Sequence, residues 1–200
     1  METLMFLPGA SGNRELWRRV GEGLSHPGPR VYWGWPGFGG MPNDPSVTGL
    51  TDLVERVVKA ISGPTVLFAQ SMGGVIALRT ALAVPHHVRA LVLSVTSGGI
   101  DLSSLGAVDW RPQMVAEDPT LPSWFLESRD DLSADLPRLQ IPTLLLWGDA
   151  DPISPPAVGR RLAELLPRSE LMIVPGGDHS LAHERAEDVL PHIERHLHGI

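Results

Sequence analysis

The chain alternates short apolar runs with longer segments that are apolar along one helical face. Residues 65–69 and 88–94 are apolar at nearly every position, as is typical of strands buried on both faces of a sheet. Parallel strands need crossover connections, usually helices, and these are right-handed. We therefore expect an α/β fold with a mostly parallel sheet of about six strands and helices on both faces.

The same alternation places the remaining elements and leaves one irregular stretch. Residues 96–140 are too long for a plain connection, so we expect a short cap or lid inserted into a single domain of residues 1–200. The predicted strands are 4–7, 31–33, 65–69, 88–94, 143–147 and 171–174. The predicted helices are 14–24, a segment from 51 or 52 to 61, 72–83, 156–166 and 184–197.

Composition excludes several classes of protein. A net charge of −7 without a basic run argues against electrostatic capture of nucleic acid or of an anionic membrane. The absence of cysteine excludes disulfides, thiolate chemistry and iron–sulfur clusters. The first residues enter an apolar strand without a basic region or cleavage site, so we expect no signal peptide and a cytoplasmic protein.

A short motif, Ala-Gln-Ser-Met-Gly-Gly at residues 69–74, lies between a predicted buried strand and a predicted helix. It matches the nucleophile elbow G-x-S-x-G, with Ala69 in the first glycine position. Such a turn lifts the Ser71 hydroxyl above the strand end and needs small residues where the backbones pass closely. Taken alone, the motif is equally compatible with a serine in an ordinary strand-to-helix turn.

Two later segments add an acid and a base. Asp149 and Asp151 follow the strand at 143–147, and His179 lies in a glycine-rich loop after the next strand. Because the carboxyl ends of parallel strands meet at one edge, Ser71 and these side chains should converge there. Their order along the chain, serine, then aspartate, then histidine, is that of α/β catalytic triads.

With these residues the chain resembles the α/β-hydrolase superfamily over nearly its whole length, and it is similar to small bacterial serine esterases. The resemblance implies that Ser71 is the nucleophile and His179 the general base. The family's acid stands in a G-x-x-D-P pattern, which residues 148–152 match. Asp151 is therefore the expected acid, with Asp149 as the alternative.

The resemblance also implies an oxyanion hole formed by the backbone amides of Ala10 and Met72. Two departures from the family pattern occur nearby. Pro8-Gly9 replaces the usual His-Gly, and Gly34 replaces the aspartate of Asp-x-Pro-Gly-x-Gly. The chain starts almost at the first oxyanion strand, so we expect a truncated N-terminus and about six strands instead of eight.

The expected activity is hydrolysis of small apolar acyl esters through an acyl-enzyme, with a small molecule as the partner and no metal or organic cofactor. The same scaffold is also used for carbon–carbon bond hydrolysis, lyase, amidase and perhydrolase chemistry, and a hydrolase-like binding protein with little turnover is a further alternative. The oligomeric state stays open. Four residues of the irregular stretch are candidates to roof an acyl pocket or simply to cover the sheet edge: Trp110, Met114, Trp124 and Phe125.

Three histidines near the C-terminus have spacings that suggest metal ligands. His192 and His196 are four residues apart, and His198 follows. They lie on a predicted terminal helix with no carboxylate arrangement elsewhere to complete a tetrahedral site. We expect no metal there.

Overall fold

A computed structural model describes all 200 residues and shows a six-stranded sheet. The strands are β1 (Thr3–Leu7), β2 (Arg30–Tyr32), β3 (Thr65–Gln70), β4 (Val88–Ser94), β5 (Thr143–Gly148) and β6 (Ser169–Val174). Their order in the sheet is β2-β1-β3-β4-β5-β6, and every neighbouring pair is parallel. The predicted α/β fold with a parallel sheet of six strands is confirmed.

Eight α-helices and one short 3-10 helix connect and follow the strands. The helices are α1 (Arg18–Gly23), α2 (Leu50–Ala60), α3 (Met72–Ala83), α4 (Arg111–Glu117), α5 (Ser123–Glu127), α6 (Pro156–Leu165), α7 (Leu181–Glu184) and α8 (Ala186–His198), and the 3-10 helix is Leu136–Arg138. Helix α3 and strand β4 have the predicted bounds. The α1 helix begins four residues later than predicted, because the Asn13 side chain accepts the Glu15 amide and caps a preceding turn.

The direction of the crossovers decides which helices share a face. Helix α1 connects β1 to β2, towards one edge of the sheet. Helices α2, α3 and α6 each lead to a strand nearer the opposite edge. Right-handed crossovers therefore place α1 opposite α2, α3 and α6. Helix α8 packs against α1 and α2 packs against α3, so the sheet is covered on both faces.

The strands at the centre of the sheet form the hydrophobic core. Every residue of β3 and of β5 is buried, as expected for strands covered on both faces. Phe6 of β1 stacks on Phe68 of β3 with ring centroids 4.5 Å apart, and Trp17 packs edge-on against Phe68. The carboxyl ends of β1 and β3 are thus held by closely packed aromatic rings.

Residues 95–142 connect β4 to β5 and contain α4, α5 and the 3-10 helix. Neither α4 nor α5 was predicted, since both are shorter than two helical turns and lack a readable periodicity. Arg79 of α3 forms an ion pair of 3.3 Å with Asp130, so this segment is tied to the helix that follows β3.

The strand order reverses at β1, which lies between β2 and β3. In open parallel sheets, ligands bind outside the carboxyl ends of the strands where this reversal occurs. Ala10 follows β1 and Ser71 follows β3, so both lie at this point. None of the helices has both the length and the apolar surface needed to cross a membrane.

Candidate active site

Ser71 occupies the sharp turn between β3 and α3. Its φ of 52° and ψ of −122° are unusual for a residue with a side chain, as a nucleophile elbow requires. A Cβ atom on Gly73 would lie 2.5 Å from the Pro8 carbonyl oxygen, and one on Gly74 would collide with Thr96. The two glycines therefore allow the close packing from which the serine projects.

His179 lies between Ser71 and Asp151. The imidazole Nε2 is 3.1 Å from Ser71 Oγ, and Nδ1 is 2.7 Å from Asp151 Oδ2. The other oxygen of Asp151 accepts the amides of Ile153 at 2.8 Å and Ser154 at 3.1 Å. With the carboxylate held in this way, Nδ1 donates to it and Nε2 is left to accept the serine proton.

Burial differs along this chain of hydrogen bonds. The Asp151 side chain is fully buried, whereas the His179 side chain is 25% exposed. Asp149 is exposed, makes no hydrogen bond to His179 and instead accepts the Gly176 amide at 2.6 Å. Of the two candidate acids, the structure brings only Asp151 to the histidine.

The two amides expected to form an oxyanion hole stand on either side of the serine. The Ala10 amide follows β1, and the Met72 amide is in the first turn of α3. Neither donates a hydrogen bond inside the protein, although both residues are buried and line a cavity shared with Ser71. Two unpaired donors that face a common space are able to bind a developing oxyanion.

Two residues that the sequence analysis did not single out connect Ser71 to Asp151. The Thr96 hydroxyl donates to the Ser71 carbonyl at 2.6 Å, and the Thr96 carbonyl accepts the Ser154 hydroxyl at 3.1 Å. Since the Ser154 amide also binds Asp151, one continuous network of hydrogen bonds joins Ser71 to Asp151. The Asp151-x-x-Ser154 spacing, in which an aspartate accepts a nearby amide, is the local signal that could have revealed Ser154.

A third residue of this kind is Gln70, directly before Ser71. Its side-chain amide donates to the His179 carbonyl at 3.0 Å and thereby attaches the histidine loop to the end of β3. The one signal in the sequence was a polar residue directly after the apolar run at residues 66–69. Its partner lies 109 positions away along the chain, so the contact itself could not be predicted from the sequence.

A cavity of about 680 Å³ opens between Ser71 and the segment connecting β4 to β5. Of the four predicted roof residues, Trp110, Met114 and Phe125 line it. The Trp110 and Phe125 rings stack with centroids 4.8 Å apart. Trp124 does not line the cavity, because its ring packs edge-on against Phe38.

The lining of the cavity also carries charge. Hydrogen bonds from the Ser103 amide and hydroxyl hold the pKa of Asp101 below its ordinary value, and the Ser133 hydroxyl and amide do the same for the pKa of Asp131. Both carboxylates are therefore ionised at neutral pH. Two basic residues, Arg111 and Arg129, also line this side, and Arg111 binds Asp109 and the Leu126 carbonyl.

Comparison with known families supports the relationship that the fold and the elbow suggest. A family described as the alpha/beta hydrolase fold matches residues 2–130 and, in a second match, residues 122–186. The chain belongs to the α/β-hydrolase fold family. In this chain, the parallel strands and the turn after β3 position Ser71.

Individual relatives match in different ways. A Synechocystis protein described as a non-heme chloroperoxidase is 42% identical over 72 residues, 36% of this chain and 25% of that protein. A polyketide synthase of Burkholderia thailandensis is 26% identical over 227 aligned residues, 89% of this chain and 11% of the synthase. Each alignment thus spans a quarter or less of the relative's length.

Among solved structures, a thermophilic esterase from Thermogutta terrifontis is similar to the chain. The TM-score is 0.81 at 21% sequence identity, and the match covers 100% of this chain and 90% of the esterase. At this identity the likeness concerns the fold.

Proposed function

We propose that the protein is a serine hydrolase, and specifically a carboxylesterase that cleaves esters of small apolar acyl groups. The observation that carries the proposal is the connected set Ser71, His179 and Asp151 at 3.1 Å and 2.7 Å, facing a cavity beside two unpaired amides. A nucleophile, an oriented base and an oxyanion site are the parts that acyl transfer needs.

In the proposed mechanism, His179 Nε2 takes the proton from Ser71 Oγ as that oxygen attacks the ester carbonyl. The oxyanion of the tetrahedral intermediate accepts hydrogen bonds from the Ala10 and Met72 amides, and loss of one such donor costs about 2.7–4 kcal/mol of barrier. Asp151 stabilises the imidazolium, which then protonates the leaving alcohol. Water, with His179 again as base, hydrolyses the acyl-enzyme.

The lining of the cavity supports the proposed substrate class. Trp110, Met114 and Phe125 offer an apolar surface to the acyl chain, and a volume of about 680 Å³ suits a small molecule. The cavity is lined by four carboxylates, of Asp101, Glu117, Asp130 and Asp131, and by two arginines, Arg111 and Arg129. This excess of acidic side chains disfavours polyanionic acyl donors, although solvent screens exposed charges. These features favour neutral esters.

The test is the intact mass of the protein after exposure to a fluorophosphonate, for the wild type and for Ser71→Ala. We expect one adduct on the wild type and none on the variant, because a fluorophosphonate reacts readily only with an activated serine. A panel of p-nitrophenyl esters graded by acyl length then identifies the preferred chain.

Either step can contradict the proposal. Absence of an adduct on folded wild-type protein would overturn the serine-hydrolase assignment and favour a binding protein. An adduct without turnover of any ester would retain the activated serine but exclude the esterase assignment, and would direct the search to amides, carbon–carbon bonds and peracid formation.

A further inference from the structure

We infer that Trp35 is a positioning residue for the oxyanion hole: its indole N–H fixes the Pro8 carbonyl, and with it the Ala10 amide, while Trp17 assists at the Leu7 carbonyl. This inference rests on the proposed function, since it assigns a task within acyl transfer. It addresses the loop in which Pro8-Gly9 departs from the family pattern.

The loop at residues 8–12 has few hydrogen bonds of its own. Pro8 has no amide hydrogen, and within the loop only the Gly12 amide donates to the Gly9 carbonyl, at 3.1 Å. The Ala10 amide has to stay unpaired if it is to bind an oxyanion. The orientation of the loop therefore depends on what its carbonyl oxygens contact.

Two buried indoles bind those carbonyls. Trp35 Nε1 donates to the Pro8 oxygen at 2.8 Å, and Trp17 Nε1 donates to the Leu7 oxygen at 3.3 Å. Both tryptophans are only 1% exposed, so water cannot replace either indole without a rearrangement. A buried carbonyl left without a donor is costly, which makes these contacts strongly preferred over alternatives.

The same carbonyls lie against the helix that carries the other oxyanion donor. A Cβ atom on Gly73 would come within 2.5 Å of the Pro8 oxygen and 2.7 Å of the Leu7 oxygen. The Pro8 oxygen is thus held between the Trp35 indole and the first turn of α3, next to the Met72 amide. The separation of the two amide donors is set at this contact.

Trp35 is itself held on a segment that packs backbone to backbone on the loop. A Cβ atom on Gly12 would lie 2.7 Å from the Phe38 carbonyl carbon, and one on Gly39 would lie 2.6 Å from the Ser11 oxygen. Both glycines have a positive φ, of 62° and 57°. Residues 35–39 therefore pack closely against the loop, and this packing holds Trp35 in place beside the Pro8 carbonyl.

The experiment compares Trp35→Phe and Trp17→Phe with Trp33→Phe. Trp33 is a matched control, because its ring lies 5.9 Å from that of Trp35 but its buried indole N–H has no partner. For each variant we would measure the rate of fluorophosphonate labelling, kcat and KM on a p-nitrophenyl ester, and the pH dependence of kcat/KM.

For Trp35→Phe we expect kcat and the labelling rate to fall by about 10- to 100-fold with little change in KM, since a small displacement of a catalytic group has this effect. Trp17→Phe should show a smaller loss, because its hydrogen bond is longer. Trp33→Phe should remain close to wild type. The acid limb of the pH profile should be unchanged in all three, because His179 is not altered.

The outcomes separate the two proposals. If the wild type forms no adduct, the proposed function fails, and this inference fails with it. If the wild type reacts but Trp35→Phe matches Trp33→Phe, or changes KM rather than kcat, the inference alone is overturned. Thermal unfolding verifies that each variant is folded. Should Trp35→Phe not fold, Trp17→Phe and Trp33→Phe are compared instead, and an equal kcat in these two variants overturns the inference.

Discussion

Two residues other than glycine have a positive φ, and both lie beside the candidate site. Ser71 ends β3 with a φ of 52°, and Val95 directly follows β4 with a φ of 41°. For a β-branched residue such as Val95 this conformation is a clear outlier. Conformations of this kind cost on the order of 1–3 kcal/mol each and persist where the surroundings hold them.

Backbone hydrogen bonds hold both strained residues in place. The Ser71 amide donates to the Ser94 carbonyl and the Val95 amide donates to the Leu146 carbonyl, both at 3.1 Å, so each residue continues the sheet hydrogen bonds past the strand end. Thr96 then binds the Ser71 carbonyl. The strain is therefore confined to the ends of two neighbouring strands, β3 and β4, beside the serine hydroxyl.

A single-residue prediction distinguishes the two candidate acids. Asp151→Asn is expected to lower kcat by about four orders of magnitude, because the amide no longer holds His179 in the tautomer that accepts the serine proton. Asp149→Asn should leave kcat near the wild-type value, since the asparagine oxygen still accepts the Gly176 amide. Steady-state kinetics on the best ester of the panel would measure both.

A greater loss of kcat in Asp149→Asn than in Asp151→Asn would make Asp149 the acid and contradict the 2.7 Å contact seen here. Equal, large losses would show that the whole loop after β5 moves in either variant.

At the scale of elements, the distance between α3 and the loop after β1 is set by Gly73. In Gly73→Ala the added methyl group meets two backbone carbonyls that cannot rotate away, so α3 must shift. We expect a loss of stability of about 1–3 kcal/mol, as for overpacked cores. Because the shift separates the Met72 and Ala10 amides, kcat should fall as well.

Gly63→Ala is the matched control for this change. No atom lies within 4 Å of a Cβ placed on Gly63, and its φ is not in the left-handed region. Thermal unfolding and kcat should both stay near wild type. Wild-type stability and activity in Gly73→Ala would show that the helix and the loop are not packed as closely as described.

The short helices of the segment between β4 and β5 illustrate where element prediction from sequence fails. Helix α5 has five residues, and only Phe125 of them is buried. Helix α4 has no buried residue at all. Such helices leave no amphipathic pattern, since their position depends on contacts with the rest of the molecule, such as Phe38 against Phe125.

For the whole molecule, surface carboxylates make the free energy of unfolding depend on pH in the acid range. Hydrogen bonds from Arg56, and then from Ser46, lower the pKa of Asp44 from 3.8 to about 2. The Thr48 amide and hydroxyl lower the pKa of Asp52, and the Thr120 hydroxyl and amide lower the pKa of Asp118. In each case the folded protein favours the ionised form more than the unfolded chain does.

The sign of the effect follows from these shifts. As pH falls below about 4, the unfolded chain binds protons before the folded protein does, so folding is favoured above this pH and the advantage is lost towards pH of about 2. We expect the urea midpoint of unfolding to decrease steadily across that window. In Asp44→Asn the decrease should be shallower, and an equally steep decrease would exclude a contribution from the Asp44–Arg56 pair.

Burial of one histidine, His196, makes the stability depend on pH at higher pH values as well. It lowers the pKa of His196 below 6.5, so protonation of this residue favours the unfolded chain. Its share of the stability is therefore present above pH of about 6.5 and declines as the solution is acidified. His196 is partly buried on α8, where its Nε2 has no hydrogen-bond partner.

Much of the fold could be predicted because it is written in local patterns. Continuous apolar runs identified every strand, and the glycines of residues 73–74 marked the turn after β3. The positions of Ser71, Asp151 and His179 just after predicted strands were enough to place them at one edge, because parallel strands share the direction of their carboxyl ends. The start of α1 was wrong, since a side-chain cap at Asn13 competes with the helix there.

The sequence by itself determined the parallel α/β sheet, the elbow at Ser71 and the edge at which the site lies, because these depend on hydrophobic period and on neighbours in the chain. Only the tertiary structure decided that Asp151 and not Asp149 meets His179, and that Trp35 binds the Pro8 carbonyl. Those contacts join residues 28 and 27 positions apart. Their geometry follows from how strands and loops pack in three dimensions, which no local pattern of side chains contains.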